Sequence, residues 1–260
     1  MADVVTLTTD FGTRDGYVAA MKGVILGIAP GVSLVDVSHE VAAQDVQGAA
    51  YLLAGVYRFF PPDTVHLVVV DPGVGTERRG LAVRGGEHLF VAPDNGVLTP
   101  VFDGEEDVRV VSLSNADYWR SAVSRTFHGR DIFAPVAAHL AAGIPLAVFG
   151  EAVSDPVRLD MPEPRAREGV VEGAVLWVDR FGNLVTNIPA ATLSLGETYR
   201  ITVGHLTVTG LFTTYGQVRA GQPLALIGSH GFVEVAVREG SAAEVAGAGR
   251  GALVRLEPAP

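Results

Sequence analysis

The chain has 260 residues, with 19 Lys and Arg against 29 Asp and Glu, a formal net charge of −10 with neutral histidines, and no cysteine. The acidic balance argues against a general binder of nucleic acid or anionic membrane, because both need basic surface. A 48% hydrophobic content excludes a disordered chain, and the lack of cysteine excludes a disulfide scaffold, a thiolate zinc site and a cysteine nucleophile. Met1-Ala2-Asp3 supplies no basic leader, and no run of about 18 apolar residues exists to span a membrane. These features fit a cytoplasmic protein.

Val4 to Thr8 reads as a short buried strand ending in Thr9-Asp10-Phe11-Gly12. Helical periodicity follows from Tyr17 to Ile28, then a second strand over Val32–Val37. Asp45 to Phe60 is helical and stops before Pro61-Pro62. Thr64 to Val70 is an almost wholly apolar strand entering Asp71-Pro72-Gly73. Short strands around Leu81–Val83 and Leu89–Ala92 lead to the turn Pro93-Asp94-Asn95-Gly96, and Asp131 to Ala142 is the next helix. Continuous apolar strands alternating with helices predict a largely parallel α/β sheet. After about Arg158 the character changes. A Pro- and charge-rich linker is predicted at 161–168, between an N-terminal α/β domain at 1–160 and a C-terminal domain at 169–260. In the latter, Val170–Val178, Leu184–Ile188, Tyr199–Val203, His205–Leu211, Pro223–Ile227 and Phe232–Val237 read as short strands of a small antiparallel barrel or sandwich.

In open α/β sheets ligands bind beyond the carboxyl ends of the strands. Asp10 and Asp71 both sit there, although a strand-end Asp is also a common turn former or cap. The loop Asp71-Pro72-Gly73-Val74-Gly75-Thr76-Glu77-Arg78-Arg79 has neither a P-loop ending nor the dinucleotide glycine spacing. Asp131 suits the first turn of its helix. His128, just before that helix, is either a neutral imidazole able to accept a proton or a structural hydrogen-bonding residue, and His139 reads as structural. Asp179-Arg180-Phe181-Gly182-Asn183 is either a hairpin turn or an acceptor and amide beside an aromatic face suited to a purine. Gly228-Ser229-His230-Gly231 is a tight turn whose hydroxyl and amides can also hold a carboxylate.

Taken together, Thr9-Asp10-Phe11-Gly12, Val70-Asp71-Pro72-Gly73-Val74-Gly75-Thr76, Pro93-Asp94-Asn95-Gly96, Thr126-Phe127-His128-Gly129-Arg130-Asp131, Phe181-Gly182-Asn183-Leu184-Val185-Thr186-Asn187-Ile188 and Gly228-Ser229-His230-Gly231 resemble the S-adenosyl-L-methionine (SAM) hydroxide adenosyltransferases. These are SAM hydrolases related to the fluorinases and chlorinases, and the likeness covers almost the whole chain. The resemblance implies an N-terminal α/β domain, a C-terminal β-barrel and a homotrimer with active sites between subunits. It implies no cofactor and no metal. It places the water-holding Asp, Arg and His on Asp71, Arg78 and His128, with Arg79 as the alternative arginine. Asp10 falls on the position that grips the ribose hydroxyls and Asn183 on an adenine contact. Phe181 and Tyr215 are candidates for enclosing the base. Asp179, Ser229 and Glu234 are candidates for the methionine ammonium and carboxylate, and His230 stands where some relatives carry Arg.

The implied reaction is in-line attack of water or hydroxide at ribose C5′, giving adenosine and L-methionine. In that reading Asp71 and His128 accept from the water while Arg78 orients Asp71. A carboxylate at position 71 disfavours a halide. The competing readings are a halide-dependent 5′-halo-5′-deoxyadenosine synthase, a metal-dependent hydrolase using Asp10, Asp71, His128 and Asp131, and a non-catalytic SAM or adenosine binder.

Overall fold

The computed structural model describes residues 2–194 and 196–259, in two compact units that meet in sequence at Leu159 and Asp160. The first unit has strands β1 (Val4–Thr9), β2 (Ser33–Ser38), β3 (Val65–Val69), β4 (Gly80–Gly85), β5 (His88–Pro93) and β6 (Arg109–Ser112), and helices α1 (Tyr17–Ile28), α2 (Val46–Val56), α3 (Thr99–Gly104) and α4 (Ala134–Ala141). Its sheet runs β2-β1-β3-β5-β4-β6. The four strands β2, β1, β3 and β5 are parallel; β4 pairs antiparallel with β5, and β6 pairs antiparallel with β4. The largely parallel sheet expected from the apolar runs is therefore present, and β3 is buried along its whole length.

Strand alternation sorts the core into two faces. Leu67 and Val69 join Met21 and Ile25 of α1 and Val136 and Ala137 of α4. Val68 and Val70 join Ala50 and Leu53 of α2 and Val101 of α3 on the other face. The predicted helix over Asp45–Phe60 is α2, capped by the Asp45 carboxylate accepting from the Gly48 N–H at 2.9 Å, and it tightens into a 3₁₀ turn at Tyr57–Phe59. The predicted helix over Asp131–Ala142 divides into a π turn at Gly129–Phe133 and then α4. Pro135 has no N–H to give the Asp131 carbonyl four residues back. That carbonyl accepts from the Arg120 N–H at 2.9 Å instead, which ties the preceding loop to the helix. Strand β6 and helix α3 went unanticipated because each is short and carries too few apolar repeats to show a period.

The second unit holds β7 (Arg165–Arg167), β8 (Val170–Val178), β9 (Leu184–Pro189), β10 (Tyr199–Val203), β11 (Leu206–Thr209), β12 (Pro223–Ile227), β13 (Phe232–Val237), β14 (Leu253–Pro258) and the short helix α5 (Ala242–Ala246). Its strands pair antiparallel in the order β11-β10-β14-β8-β9-β13-β12, with β7 added on β8. Just past β11, Phe212 bridges Leu226 of β12, and its N–H donates to the Ala225 carbonyl at 2.8 Å. The sheet thus nearly closes into a barrel around Val175, Ile188, Ile201, Val235 and Leu256. Among the described residues no helix is long and apolar enough to cross a membrane.

A buried chain of polar groups crosses the first sheet. Thr6 Oγ1 lies 2.8 Å from His66 Nδ1, and His66 Nε2 lies 3.4 Å from His88 Nδ1. Burial, with the neighbouring His88, lowers the His66 pKa to about 3. The folded state therefore binds this proton less readily than the unfolded chain, whose histidine titrates near 6.5. His66 imposes no pH penalty above that value. Below it, the chain loses roughly 1.4 kcal/mol per pH unit until the folded pKa is reached. Melting curves from pH 7 to pH 4 are expected to show this slope. His66→Phe, set among Tyr57, Phe60 and Phe90, is expected to flatten it.

Candidate active site

The parallel strands deliver their carboxyl ends to one edge, where a cavity of about 380 Å³ opens. Asp10 reaches it from the end of β1, Asp71 from the end of β3, and His128 from the residue preceding the π turn. Phe11, Tyr17 and Phe127 complete it. The Tyr17–Phe127 and Phe11–Phe127 pairs meet edge to face, with centroids 5.2 and 5.9 Å apart. Such an apolar wall with a few convergent polar groups is the usual composition of a small-molecule site.

Arg78 is the centre of the polar cluster. Its Nε donates to Asp71 Oδ1 at 2.9 Å and its Nη2 to Asp71 Oδ2, a bidentate pair. The side chains are only 12% and 5% exposed, so this pair is desolvated. The guanidinium also stacks on the Phe133 ring. Nη2 lies 3.0 Å from His128 Nδ1. An arginine N–H can only donate, so Nδ1 is the acceptor and the neutral ring carries its proton on Nε2. Burial first, and the Arg78 charge second, lower the His128 pKa and keep the imidazole neutral. The sequence reading had His128 accepting from the water. Here its Nδ1 lone pair is taken, and Asp71 holds the acceptor capacity.

Arg79 faces another way. It donates to Asp94 Oδ2 at 2.7 Å and to Asp155 Oδ1 at 2.8 Å, away from Asp71. The turn after β5 supports the site from below, where Asn95 Nδ2 donates to the Val70 carbonyl at 2.8 Å. Asp131 is fully buried and accepts from Arg120 at 2.8 Å, from Arg130 at 2.7 and 2.8 Å, and from the Ser124 N–H at 2.9 Å. Burial alone would raise its pKa, but these donors outweigh it and bring it down to about 2. It anchors the 120–127 loop. No group of three or more His, Asp or Glu among the described residues is arranged to hold a metal.

Two loops are locked together at Gly75. It has φ +78°, and a Cβ there would meet the Arg125 carbonyl oxygen at 2.4 Å. Gly75→Ala adds left-handed strain of about 1–2 kcal/mol and drives the Asp71 loop off the His128 loop. Its expected signature is a lowered melting temperature together with a fall in turnover. An unchanged turnover would show that the loops tolerate separation.

The second unit gathers four of its predicted residues, Asp179, Phe181, Asn183 and Tyr215, around a cavity of about 690 Å³ that Ser241 also lines, while Glu234 lies behind it, bonded to Tyr215. Asp179 Oδ1 accepts from the backbone N–H of Phe181 at 2.8 Å and of Asn183 at 2.9 Å, and Oδ2 accepts from Asn183 Nδ2 at 2.9 Å. This hairpin leaves Phe181 76% exposed. The Tyr215 hydroxyl donates to Glu234 Oε1 at 2.6 Å. Burial raises the Glu234 pKa, the Tyr215 bond offsetting part of the effect. Ser229 is exposed on the β12–β13 turn. It does not line the cavity, but its neighbour Gly228 packs on the Glu234 carboxyl, where a Cβ would come within 2.8 Å. The sequence reading missed Tyr17, Gln44 and Ser241 as lining residues. An aromatic opening a helix was the one available signal, at Tyr17.

The chain matches the SAM hydroxide adenosyltransferase N-terminal domain over residues 5–150 and the C-terminal domain of the same family over 173–255. It is 42% identical to a protein of Salinispora tropica named (R)-S-adenosyl-L-methionine hydrolase, covering 97% of each chain. A protein of the same name from Thermus thermophilus is 40% identical, over 97% of this chain and 98% of that one. A fluorinase of an Actinoplanes species is 32% identical over 90% of each. Among solved structures, an uncharacterized conserved protein from Thermotoga maritima superposes with a TM-score of 0.91 at 37% identity, covering 98% of this chain and 99% of that one. With both domain models matched in order and the barrel and α/β sheet in place, the chain belongs to the SAM hydroxide adenosyltransferase family.

Proposed function

We propose that this protein hydrolyses S-adenosyl-L-methionine to adenosine and L-methionine, acting on the R sulfonium epimer that the relatives' names specify. The observation that carries the reading is the desolvated Asp71–Arg78–His128 cluster at the strand ends. Water attacks C5′ of the ribose, the C5′–O bond forms as the C5′–S bond breaks, and the electron pair goes to sulfur. Methionine leaves as a neutral thioether, so the leaving group needs no protonation. One proton is released from the water, and Asp71 is its acceptor. Arg78 fixes both carboxylate oxygens and, through Nδ1, sets the His128 tautomer whose Nε2–H orients the water. Asp10 binds the two ribose hydroxyls. Phe181, Tyr215 and Asn183 enclose the adenine. Asp179, Ser229 and Glu234 receive the methionine ammonium and carboxylate. The assembly is a homotrimer with active sites at the subunit interfaces, and it works in the cytoplasm without a metal.

A halide synthase is disfavoured because the nearly buried Asp71 carboxylate lines the cavity and would repel an anion there. The test is chromatographic. Purified protein is incubated with SAM, with and without EDTA and with and without high chloride. Adenosine and methionine in equal amounts, indifferent to both additions, are expected. A 5′-chloro product, loss of activity in EDTA, or intact SAM would each overturn the reading. Turnover should also fall as pH drops below the usual histidine range, because a protonated His128 would set a second cation against Arg78.

A further inference from the structure

One network at the sheet edge lies outside the cluster just described. His39 follows β2, its ring is buried, and its Nδ1 lies 2.9 Å from Thr9 Oγ1. Its Nε2 faces Asp36 Oδ1 at 2.9 Å, and Asp36 in turn holds Lys22. The His39 carbonyl accepts from the Gly12 N–H at 2.8 Å, and Thr9 Oγ1 accepts from the Phe11 N–H at 3.2 Å. Asp10 is therefore bracketed on both sides by bonds that lead to one residue, to the His39 imidazole through Thr9 Oγ1 and to the His39 carbonyl at Gly12. The chain then runs from His39 to Gln44, whose N–H donates to Asp10 Oδ2 at 2.8 Å. Gln44 takes φ +66°, a conformation that a side-chain-bearing residue adopts against steric cost. That backbone conformation accompanies an N–H aimed at a carboxylate, a pattern of local strain found at binding sites.

We propose that His39 is a positioning residue for Asp10. The imidazole pins the end of β1 and starts the loop that brings the Gln44 amide onto the carboxylate, so that Asp10 presents its remaining acceptor capacity to a vicinal diol in one fixed orientation. The proposal rests on the reading of Asp10 as the ribose-binding residue. Thr9 is fully buried, so it is no nucleophile despite its His and Asp neighbours.

The experiment compares dissociation constants for adenosine and 2′-deoxyadenosine by calorimetry, which requires no turnover, in the wild type and in Asp10→Asn, His39→Leu, His39→Asn and Thr9→Val. The wild type is expected to favour adenosine by at least about tenfold, and Asp10→Asn to lose most of that preference. His39→Leu and Thr9→Val are expected to reduce the preference by about fivefold or more and, with SAM, to raise KM more than they lower kcat. His39→Asn, which keeps an amide near the Nδ1 position, should recover part of it. If His39→Leu does not fold, Thr9→Val carries the test, since it removes one hydroxyl and keeps the shape. A lowered melting temperature with the wild-type preference intact in His39→Leu or Thr9→Val would make the network purely structural and overturn the proposal. An unchanged preference in Asp10→Asn would overturn the ribose reading itself, and the proposal with it.

Discussion

Asp71→Asn is expected to lower kcat by about 10²–10⁴-fold while changing KM little, because it removes the acceptor for the water proton and leaves the substrate contacts in place. The substitution also acts on the fold. Arg78 is nearly buried and both of its bonds to Asp71 depend on the carboxylate. Removing one partner of such a pair costs about 3–5 kcal/mol, because the other charge stays desolvated. The two effects are separable. In Asp71→Asn combined with Arg78→Gln no unpaired charge remains, so the double variant should regain much of the stability and none of the turnover. Single-turnover rates and thermal melts on the three variants make the comparison. Turnover within about tenfold of wild type in Asp71→Asn would remove Asp71 from the chemistry.

Asp131→Ala is expected to lower stability and activity together. The carboxylate is fully buried and serves Arg120, Arg130 and the Ser124 N–H together. Truncation leaves the Ser124 N–H without its acceptor and removes the bonds to two partly exposed guanidinium groups, which turn to water, a loss of about 1–3 kcal/mol. Its pH dependence has a definite sign. The folded pKa, about 2, lies below the ordinary aspartate value of 3.8. The contribution is thus complete above about pH 4 and fades as pH falls through 2. That window overlaps the one governed by His66 only between about pH 3 and 4, so acid titration of melting temperature above pH 4 reports His66 alone. The Asp131 variant should also lose activity at neutral pH, since the 120–127 loop that it anchors leads directly into His128. Wild-type stability in Asp131→Ala would mean that the arginines find other partners.

Much of the fold was legible because local pattern and tertiary role agree. Helix α1 follows the predicted bounds, and β3 reads as a continuous apolar run because it is buried on both faces. The barrel strands β8, β10, β12 and β13 also fall where alternation puts them. Helix α3 and β6 did not show, since short segments carry too few residues for a period to emerge, and β14 was not read although it is as long as β13. The split of the Asp131–Ala142 helix was implicit in Pro135, but it becomes visible only once the Asp131 carbonyl has a partner.

The sequence by itself determined the α/β and antiparallel-barrel halves, the order of the motifs and the family they resemble, because these depend on residue types and spacing along the chain. Only the tertiary structure shows which of Arg78 and Arg79 pairs with Asp71 and His128. These two residues precede β4, and the first meets Asp71 and His128 while the second meets Asp94 and Asp155. It also decided the tautomer of His128, which depends on which nitrogen faces a group that can only donate. And it brought His39 and Gln44, about 30 residues distant in sequence, against Thr9 and Asp10, because parallel pairing of β1 and β2 sets their carboxyl ends side by side.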